Sequence, residues 1–393
     1  MALSYRHMIR NLTLALSILF FSHTAFAVIL PPPPKVAAKA WILMDAHTGY
    51  VITEHNADER LPPASLTKLM TSYVLSHEIA EGRVSNEDMV PISDNAWAQN
   101  PVFAGSSLMW IETGTTVKLE DLHRGVVVSS GNDASVAVAE YLAGSEDAFA
   151  DVMNGHAEAL EMENSYFVNS HGLHATEHFT TARDLARLAQ ALIQRYPEEY
   201  GLYAEREYTF NSIRQYNRNT LMVEDSSVDG LKTGYTSEAG YCLVASAQRK
   251  GMRLISVVLG ADSVRSRKSE SRKLLNHGFR THQTELLYQE GEELAVSRLW
   301  QGQSKQLRLG IGRDIYMTIP RGSRKQLQAV MELDEVIRAP VEVGDTHGRL
   351  LVTLEEEQLL DEPLVALEAA PEAGFWGRLW DAVVLFFTQL FGG

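Results

Sequence analysis

Hydrophobic residues between positions 72 and 194 recur mainly every three or four residues, which is the spacing of one buried helical face. A loop of Ser129-Ser130-Gly131-Asn132 interrupts this helical region. Because a break between packed helices often places polar side chains at a cleft, we expect this loop to face one. The pattern predicts amphipathic helices over residues 119–128, 134–142, 148–160 and 182–193.

Short strand-like stretches lie on both sides of the helical region and are joined by tight turns. Tight turns imply antiparallel neighbours. The predicted fold class is therefore α+β, with one antiparallel sheet flanked by helices and containing both the N-terminal and the late strands. The predicted strands are residues 41–45, 50–54, 230–235, 241–248 and 252–260, and a helix follows them over residues 265–279.

Beyond Gln283 the pattern changes to short alternating runs such as Leu307-x-Leu309-x-Ile311, separated by turn residues. This alternation predicts a small all-β domain over residues 284–370. It carries no catalytic constellation in its sequence, so we expect a spacer or a binding module.

The patterns at the two ends of the chain predict an export signal and a membrane anchor. Arg6 and Arg10 precede an apolar run that ends near Ala25-Phe26-Ala27, which predicts a secretory signal peptide over residues 1–27 and export across the inner membrane. At the other end, residues 375–391 place their aromatic and aliphatic side chains on one half of a helical wheel, with Leu385 as an exception. We expect an amphipathic helix over residues 371–393 that lies in a membrane interface, while a helix docked on the protein core is the alternative.

Composition excludes several classes of function. The chain has 393 residues and a formal net charge of −15, which argues against a nucleic-acid partner. Cys242 is its single cysteine, so neither an intrachain disulfide nor a thiolate cluster can form. His171 and His174 come nearest to a metal-ligand spacing, but the sequence contains no His-Glu-x-x-His. We therefore expect no metal and no organic cofactor.

Ser65-Leu66-Thr67-Lys68 provides the candidate nucleophile and base. Pro62-Pro63 ends the preceding segment, and the apolar spacing that follows predicts a helix. Residues i and i+3 are neighbours on a helix, so the Ser65 hydroxyl and the Lys68 amine would lie within hydrogen-bond reach. Two further triplets follow in the chain, Ser130-Gly131-Asn132 and Lys232-Thr233-Gly234.

The three motifs together, on a helix, an interhelical loop and a strand, form the signature of penicillin-binding proteins and class A β-lactamases, here with glycine in the middle of the second motif. Residues 41–279 resemble the D-alanyl-D-alanine carboxypeptidase family of the penicillin-binding protein 5 type. The resemblance includes Asn100-Pro101-Val102-Phe103, Thr181-Ala182-Arg183-Asp184 and Val228-Asp229-Gly230-Leu231. It implies a serine peptidase domain over residues 28–283.

The resemblance also implies the roles of the site residues. Ser65 would attack the peptide carbonyl, Lys68 would accept its proton with Lys232 as the second cation that lowers its pKa, and Ser130 would bridge the lysines and relay the proton. The backbone N–H groups of Ser65 and Tyr235 would form the oxyanion hole. The residues expected to bind substrate are Asn132, Lys232, Thr233, Tyr235 and Arg267.

These roles predict a serine-type D-Ala-D-Ala carboxypeptidase that trims peptidoglycan stem pentapeptides, is acylated by β-lactams and is tethered to the periplasmic side of the inner membrane, with a possible homodimer. A D,D-endopeptidase or a β-lactamase on the same fold is one alternative, although residues 161–172 lack the Glu-x-x-Leu-Asn pattern of a class A β-lactamase. A non-catalytic wall-binding protein is the other.

Overall fold

The structure is a computed structural model that describes residues 30–391, so the predicted signal peptide lies outside the described residues. The helices are Lys68–Ala80 (α1), Leu119–Arg124 (α2), Asn132–Ala143 (α3), Glu146–Ala159 (α4), Ala182–Arg195 (α5), Pro197–Tyr200 (α6), Leu221–Glu224 (α7), Val264–Thr281 (α8) and Phe375–Phe391 (α9). The strands of the first domain are Ala40–Asp45 (β1), Val51–His55 (β2), Met89–Pro91 (β3), Thr116–Lys118 (β4), Glu207–Phe210 (β5), Ile213–Tyr216 (β6), Val228–Thr236 (β7), Gly240–Arg249 (β8) and Met252–Ala261 (β9). The later strands are His282–Tyr288 (β10), Glu293–Trp300 (β11), Gln306–Gly310 (β12), Ile315–Pro320 (β13), Leu327–Leu333 (β14), Ile337–Arg338 (β15), Thr346–Leu354 (β16) and Glu357–Ala366 (β17).

A five-stranded antiparallel sheet in the order β2-β1-β9-β8-β7 forms the centre of the first domain. Its central strand β9 is apolar on both faces, since Ile255 and Val257 join one hydrophobic cluster whereas Leu254 and Val258 join another. Because successive strand residues point to opposite faces, the sheet is covered by helices on both sides. This arrangement confirms the predicted α+β class.

Helices α5 and α8 each begin at a capping side chain. Thr181 Oγ1 accepts a hydrogen bond from the Asp184 N–H at the start of α5, and Ser263 Oγ accepts one from the Ser266 N–H at the start of α8. Between α2 and α3 the chain forms a π-helical turn, Gly125–Ser129, that ends at Ser130 in a left-handed conformation with φ of 61°. The predicted break between these helices is therefore an abrupt change of direction.

Two small two-stranded sheets were not predicted: β3 pairs with the distant β4, and β5 and β6 form a tight hairpin. Their strands are three or four residues long. An alternating pattern of so few residues is not distinguishable from a loop. The β5–β6 hairpin matters for the site, because it leads the chain back to Arg218.

The later strands form the predicted all-β domain, whose largest sheet has the order β14-β16-β17-β12-β11-β15. Polar contacts join it to the first domain. The fully buried Asp45 carboxylate accepts hydrogen bonds from the backbone N–H groups of His47 and Thr48 and from the hydroxyl of Thr284, and the hydroxyls of Thr48 and Thr318 lie 2.7 Å apart. These contacts connect the β1–β2 turn to β10 and β13.

Helix α9 packs on the all-β domain through its less aromatic face. Asp381 is 4% exposed and its carboxylate accepts hydrogen bonds from Lys305 Nζ at 2.8 Å and from the Gln301 N–H at 2.7 Å. Leu385, the exception in the predicted amphipathic pattern, is 5% exposed and lies on this docked face. Within residues 30–391 no helix is both long and apolar enough to span a membrane.

Candidate active site

Ser65 lies in a 3-10 turn, Ala64–Thr67, that leads directly into α1. The Thr67 hydroxyl donates a hydrogen bond to the Ala64 carbonyl at 2.9 Å, which closes the turn. Gly172 packs against the turn with φ of +89°, and a Cβ atom there would lie 1.9 Å from the Ala64 oxygen. A glycine is therefore required at 172 for the neighbouring segment to reach the nucleophile.

The Lys68 side chain is fully buried and its amine has three neighbours. The Nζ atom donates to Asn132 Oδ1 at 2.7 Å and to the His171 carbonyl at 2.5 Å, and it lies 3.5 Å from Ser65 Oγ. A neutral amine has two hydrogens and one lone pair. Because both hydrogens are used by oxygen acceptors, the lone pair is left for the Ser65 hydroxyl.

Burial, with a smaller contribution from the charge of Arg218, lowers the pKa of Lys68 to about 7, against the opposing charges of Asp133 and Glu146. Burial also lowers the pKa of Lys232 well below its usual value, and the charges of Lys68, Arg218 and Arg267 add to that effect. An amine with a pKa near neutrality is able to act as a base at physiological pH.

Ser130 and Lys232 form a second serine–lysine pair. The Lys232 Nζ atom donates to Ser130 Oγ at 2.8 Å, and both residues are 2% exposed. Ser130 adopts the left-handed conformation that few non-glycine residues occupy. The expected bridge to both lysines is present on the Lys232 side alone, since no hydrogen bond joins Ser130 to Lys68 among the described residues.

The residue after Asn132 organises the loop that borders the cavity. The buried Asp133 carboxylate accepts hydrogen bonds from the N–H groups of Met109 and Trp110 at 2.8 Å and of Ile111 at 3.2 Å. The Asn132 N–H donates to the Ser107 carbonyl at 2.8 Å. The second motif thus holds residues 107–111 against the start of α3.

Strand β7 forms the opposite wall of the site. A Cβ atom on Gly234 would lie 3.1 Å from the Pro63 oxygen and 3.2 Å from Ala64 Cβ, so the strand packs directly on the Ser65 turn. The Arg267 guanidinium donates to the Gly234 carbonyl at 3.0 Å, while Tyr235 is 54% exposed at the rim.

A cavity of about 330 Å³ lies between these walls. Six of the eight predicted residues line it, and the other two, Lys68 and Lys232, lie beneath it in contact with the serines. The lining predicted residues are Ser65, Ser130, Asn132, Thr233, Tyr235 and Arg267. The structure therefore brings all eight candidate residues together.

The sequence analysis missed Arg218, which lines the cavity. The charge of Arg218 lowers the pKa of both Lys68 and Lys232, and the charge of Lys68 also lowers the pKa of Lys232. Arg218 Nε also donates to the Ser129 carbonyl at 3.4 Å. No motif contains Arg218, because the β5–β6 hairpin places it at the site.

The paired serines and lysines around one cavity define a penicillin-binding serine enzyme, in which a serine hydroxyl beside a lysine amine performs acyl transfer. Residues 27–263 match the family model described as D-alanyl-D-alanine carboxypeptidase, and residues 282–372 match that of the penicillin-binding protein 5 C-terminal domain. The chain belongs to the D-alanyl-D-alanine carboxypeptidase family.

Curated relatives match almost the whole chain. It is 45% identical to the D-alanyl-D-alanine carboxypeptidase DacC of Escherichia coli, over 99% of this chain and 98% of that protein. It is 44% identical to DacA of the same organism, over 93% of this chain and 91% of that protein. Among solved structures, penicillin binding protein 5 from Haemophilus influenzae has a TM-score of 0.82 and 39% identity, covering 87% of this chain and 100% of that one. These matches support the predicted serine carboxypeptidase function and do not favour the alternatives.

Proposed function

We propose that this protein is a serine D-Ala-D-Ala carboxypeptidase that releases the terminal D-alanine from peptidoglycan stem pentapeptides. The observation that carries the proposal is the environment of Lys68, whose amine is held by Asn132 Oδ1 and the His171 carbonyl at 3.5 Å from Ser65 Oγ. This geometry suits a base that takes a proton from the nucleophile.

In the proposed mechanism Ser65 Oγ attacks the carbonyl carbon between the two terminal D-alanines, and its proton passes to Lys68. The carbon–nitrogen bond then breaks as Ser130 gives its proton to the departing amine and takes up the proton that Lys68 received. Water hydrolyses the acyl-enzyme and restores the Ser65 hydroxyl. The N–H groups of Ser65 and Tyr235 would stabilise the oxyanion, as the packing of β7 against the Ser65 turn allows.

The free carboxylate of the substrate would lie toward the β7 wall. Lys232 and Arg267 supply positive charge there, and Thr233, 6% exposed, supplies a hydroxyl in the cavity lining. Charged donors bind a carboxylate more strongly than neutral ones. Arg218, at the same cavity, adds a further positive charge that would attract the anionic end of the peptide.

The direct test is release of D-alanine from a synthetic pentapeptide that ends in D-Ala-D-Ala, compared with release of product from a cross-linked dimer of the same peptide. Faster cleavage of the pentapeptide supports the proposal. Preferential cleavage of the cross-link would indicate an endopeptidase, and rapid turnover of benzylpenicillin would indicate a β-lactamase.

The pH dependence of the reaction follows from the state of Lys68. Burial lowers the pKa of this amine to about 7, and the unprotonated form is the base. The kcat/KM for D-alanine release is therefore expected to rise with pH through about 7, tenfold per pH unit on the acidic side. Stopped assays in buffers of constant ionic strength measure this profile. A rate that is flat between about pH 5.5 and about pH 8.5 would contradict a lysine base.

We further propose that the protein acts on the periplasmic side of the inner membrane. The leader pattern of residues 1–27 supports export. The exposed face of α9 supports binding to the membrane surface, with Trp376 78% and Trp380 69% exposed. The other exposed apolar residues of this face are Phe375, Leu379, Val383, Phe386, Phe387 and Leu390. A homodimer stays a prediction.

We expect the protein to bind vesicles of neutral phosphatidylcholine nearly as well as vesicles that contain anionic lipid, because Arg378 is the sole basic residue of α9. Replacing both Trp376 and Trp380 with glutamate should abolish binding in a flotation assay. Val330→Glu is the matched control, since Val330 is a 53% exposed apolar residue of β14. Equal binding by the tryptophan variant and by the control would refute the surface role of α9.

A further inference from the structure

A cluster of three potential metal ligands lies outside the active site, where the last turn of α1 meets α4. The ligand atoms of His77, Glu78 and His156 all lie within 4.8 Å of one another. The two imidazole rings are 4.8 Å apart between centroids and inclined by 72°. His77 and Glu78 are adjacent on α1, whereas His156 lies on α4, so no sequence spacing indicates the set.

Two of the three side chains are oriented by neighbouring polar groups. The Tyr196 hydroxyl lies 3.0 Å from His77 Nδ1, which leaves Nε2 of this ring for another partner. Arg83 holds the Glu78 carboxylate through Nε at 2.5 Å and a terminal nitrogen at 2.9 Å. A carboxylate has further lone pairs beyond those two contacts. Metal ligands are commonly held by such outer contacts, which fix their orientation.

His156 is available as a ligand. Within residues 30–391 neither ring nitrogen has a hydrogen-bond partner, and its contacts are edge-on to the rings of Tyr73 and His77. Either nitrogen of this ring is therefore open to a metal ion, which binds the neutral form of imidazole.

The charges around the cluster are balanced. The positive charge of Arg83 is shared between Glu78 and Glu81, whose carboxylate lies 3.6 Å from it. The Arg195 guanidinium nearby is engaged with the Tyr73 hydroxyl at 2.9 Å. A divalent cation would therefore lie beside two carboxylates and two guanidinium groups, and it would share the Glu78 carboxylate with Arg83.

We propose that His77, Glu78 and His156 bind one zinc ion and thereby clip α1 to α4. Two imidazoles and one carboxylate are a ligand set that zinc accepts, with water in the fourth position. Tetrahedral coordination places ligand atoms about 3.3 Å apart, so the partly exposed side chains need to close by about 1.5 Å. Helix α1 begins at Lys68, and the ion would hold its far end against α4.

The ion would stabilise the folded chain without taking part in the reaction. Its ligands meet in the folded state alone, so binding shifts the folding equilibrium by mass action. With zinc in about hundredfold excess over its dissociation constant, the Tm should rise by about 3 °C or more. D-alanine release should be unchanged at a temperature well below the Tm.

The test uses the full chain without a polyhistidine tag, freed of metal by a chelator and then dialysed against zinc. We expect one bound zinc per chain, a raised Tm, and visible absorption of tetrahedral type when cobalt(II) replaces zinc. His77→Gln and His156→Gln should each lose all three responses while keeping the wild-type circular dichroism. His55→Gln, which removes an exposed histidine elsewhere, should keep them.

Three results would overturn the proposal. One is a wild-type chain that takes up no zinc at about 0.1 mM. Another is equal zinc binding by wild type and by both glutamine variants, which would place any ion elsewhere. The last is octahedral cobalt absorption with no change in Tm, which would indicate loose surface binding without a clip.

Discussion

Ser65→Ala is expected to abolish D-alanine release, with a loss of at least about 10⁴-fold in kcat. Ser65 Oγ is the atom that forms the covalent acyl-enzyme, so without it no acyl-enzyme can form and the other groups of the site have no nucleophile to activate. Acylation by a fluorescent penicillin should vanish in the same variant, because it uses the same atom. Both are measured on purified protein, by D-alanine assay and by gel fluorescence.

Ser76→Ala is the matched control. Ser76 is a buried serine on α1, and its hydroxyl donates to the Ser72 carbonyl at 2.8 Å, away from the cavity. We expect it to keep activity and to lose about 1 kcal/mol in the free energy of unfolding. A Ser65→Ala chain that still releases D-alanine would place the nucleophile elsewhere.

Replacing Lys68 should have the next largest effect, a loss of about 10³-fold or more in kcat/KM. Two variants separate its roles as base and as charge. Lys68→Met removes both, whereas Lys68→Arg keeps a charge on a group that does not lose its proton in proteins. If the amine is the base, arginine is no better than methionine, and both variants should be acylated slowly by penicillin.

A Lys68→Arg variant with near wild-type acylation would instead show that Lys68 acts through its positive charge. Because Lys68 is buried with hydrogen bonds to Asn132 and His171, either replacement also disturbs packing. Thermal unfolding of each variant is therefore needed, and the kinetic comparison is made on folded protein below the lower Tm.

Much of the site could be predicted from the sequence because each motif carries its own local structure. The i, i+3 spacing brings Ser65 to Lys68 once the chain is helical, and the strand that bears Lys232 is recognisable from its apolar pattern. Antiparallel pairing of the late strands with β1 was also predictable from the short turns between them.

Arg218 could not be predicted in this way. It belongs to no motif, and it reaches the cavity because the four-residue strands β5 and β6 turn the chain back toward Ser129. The proximity of His77 to His156 could not be predicted from the sequence either. Both depend on tertiary packing of segments whose local patterns are uninformative.

The amphipathic pattern of α9 was predicted, but its docked side was not. The helical wheel leaves Leu385 as an exception to the apolar face, whereas the structure buries both Leu385 and Asp381 against the all-β domain. A single aspartate that accepts hydrogen bonds from Lys305 and Gln301 does not stand out in a sequence.

The Asp381 contact affects how far the active-site cavity can move relative to the membrane. Because Asp381 fastens α9 to the all-β domain, and Asp45 fastens that domain to the sheet that carries the third motif, α9 does not act as a loose tether. If its aromatic face enters lipid as proposed, the cavity is held at one height and one tilt above the bilayer. Such an enzyme would process the layer of wall polymer at that height, and the length of the all-β domain would set the height.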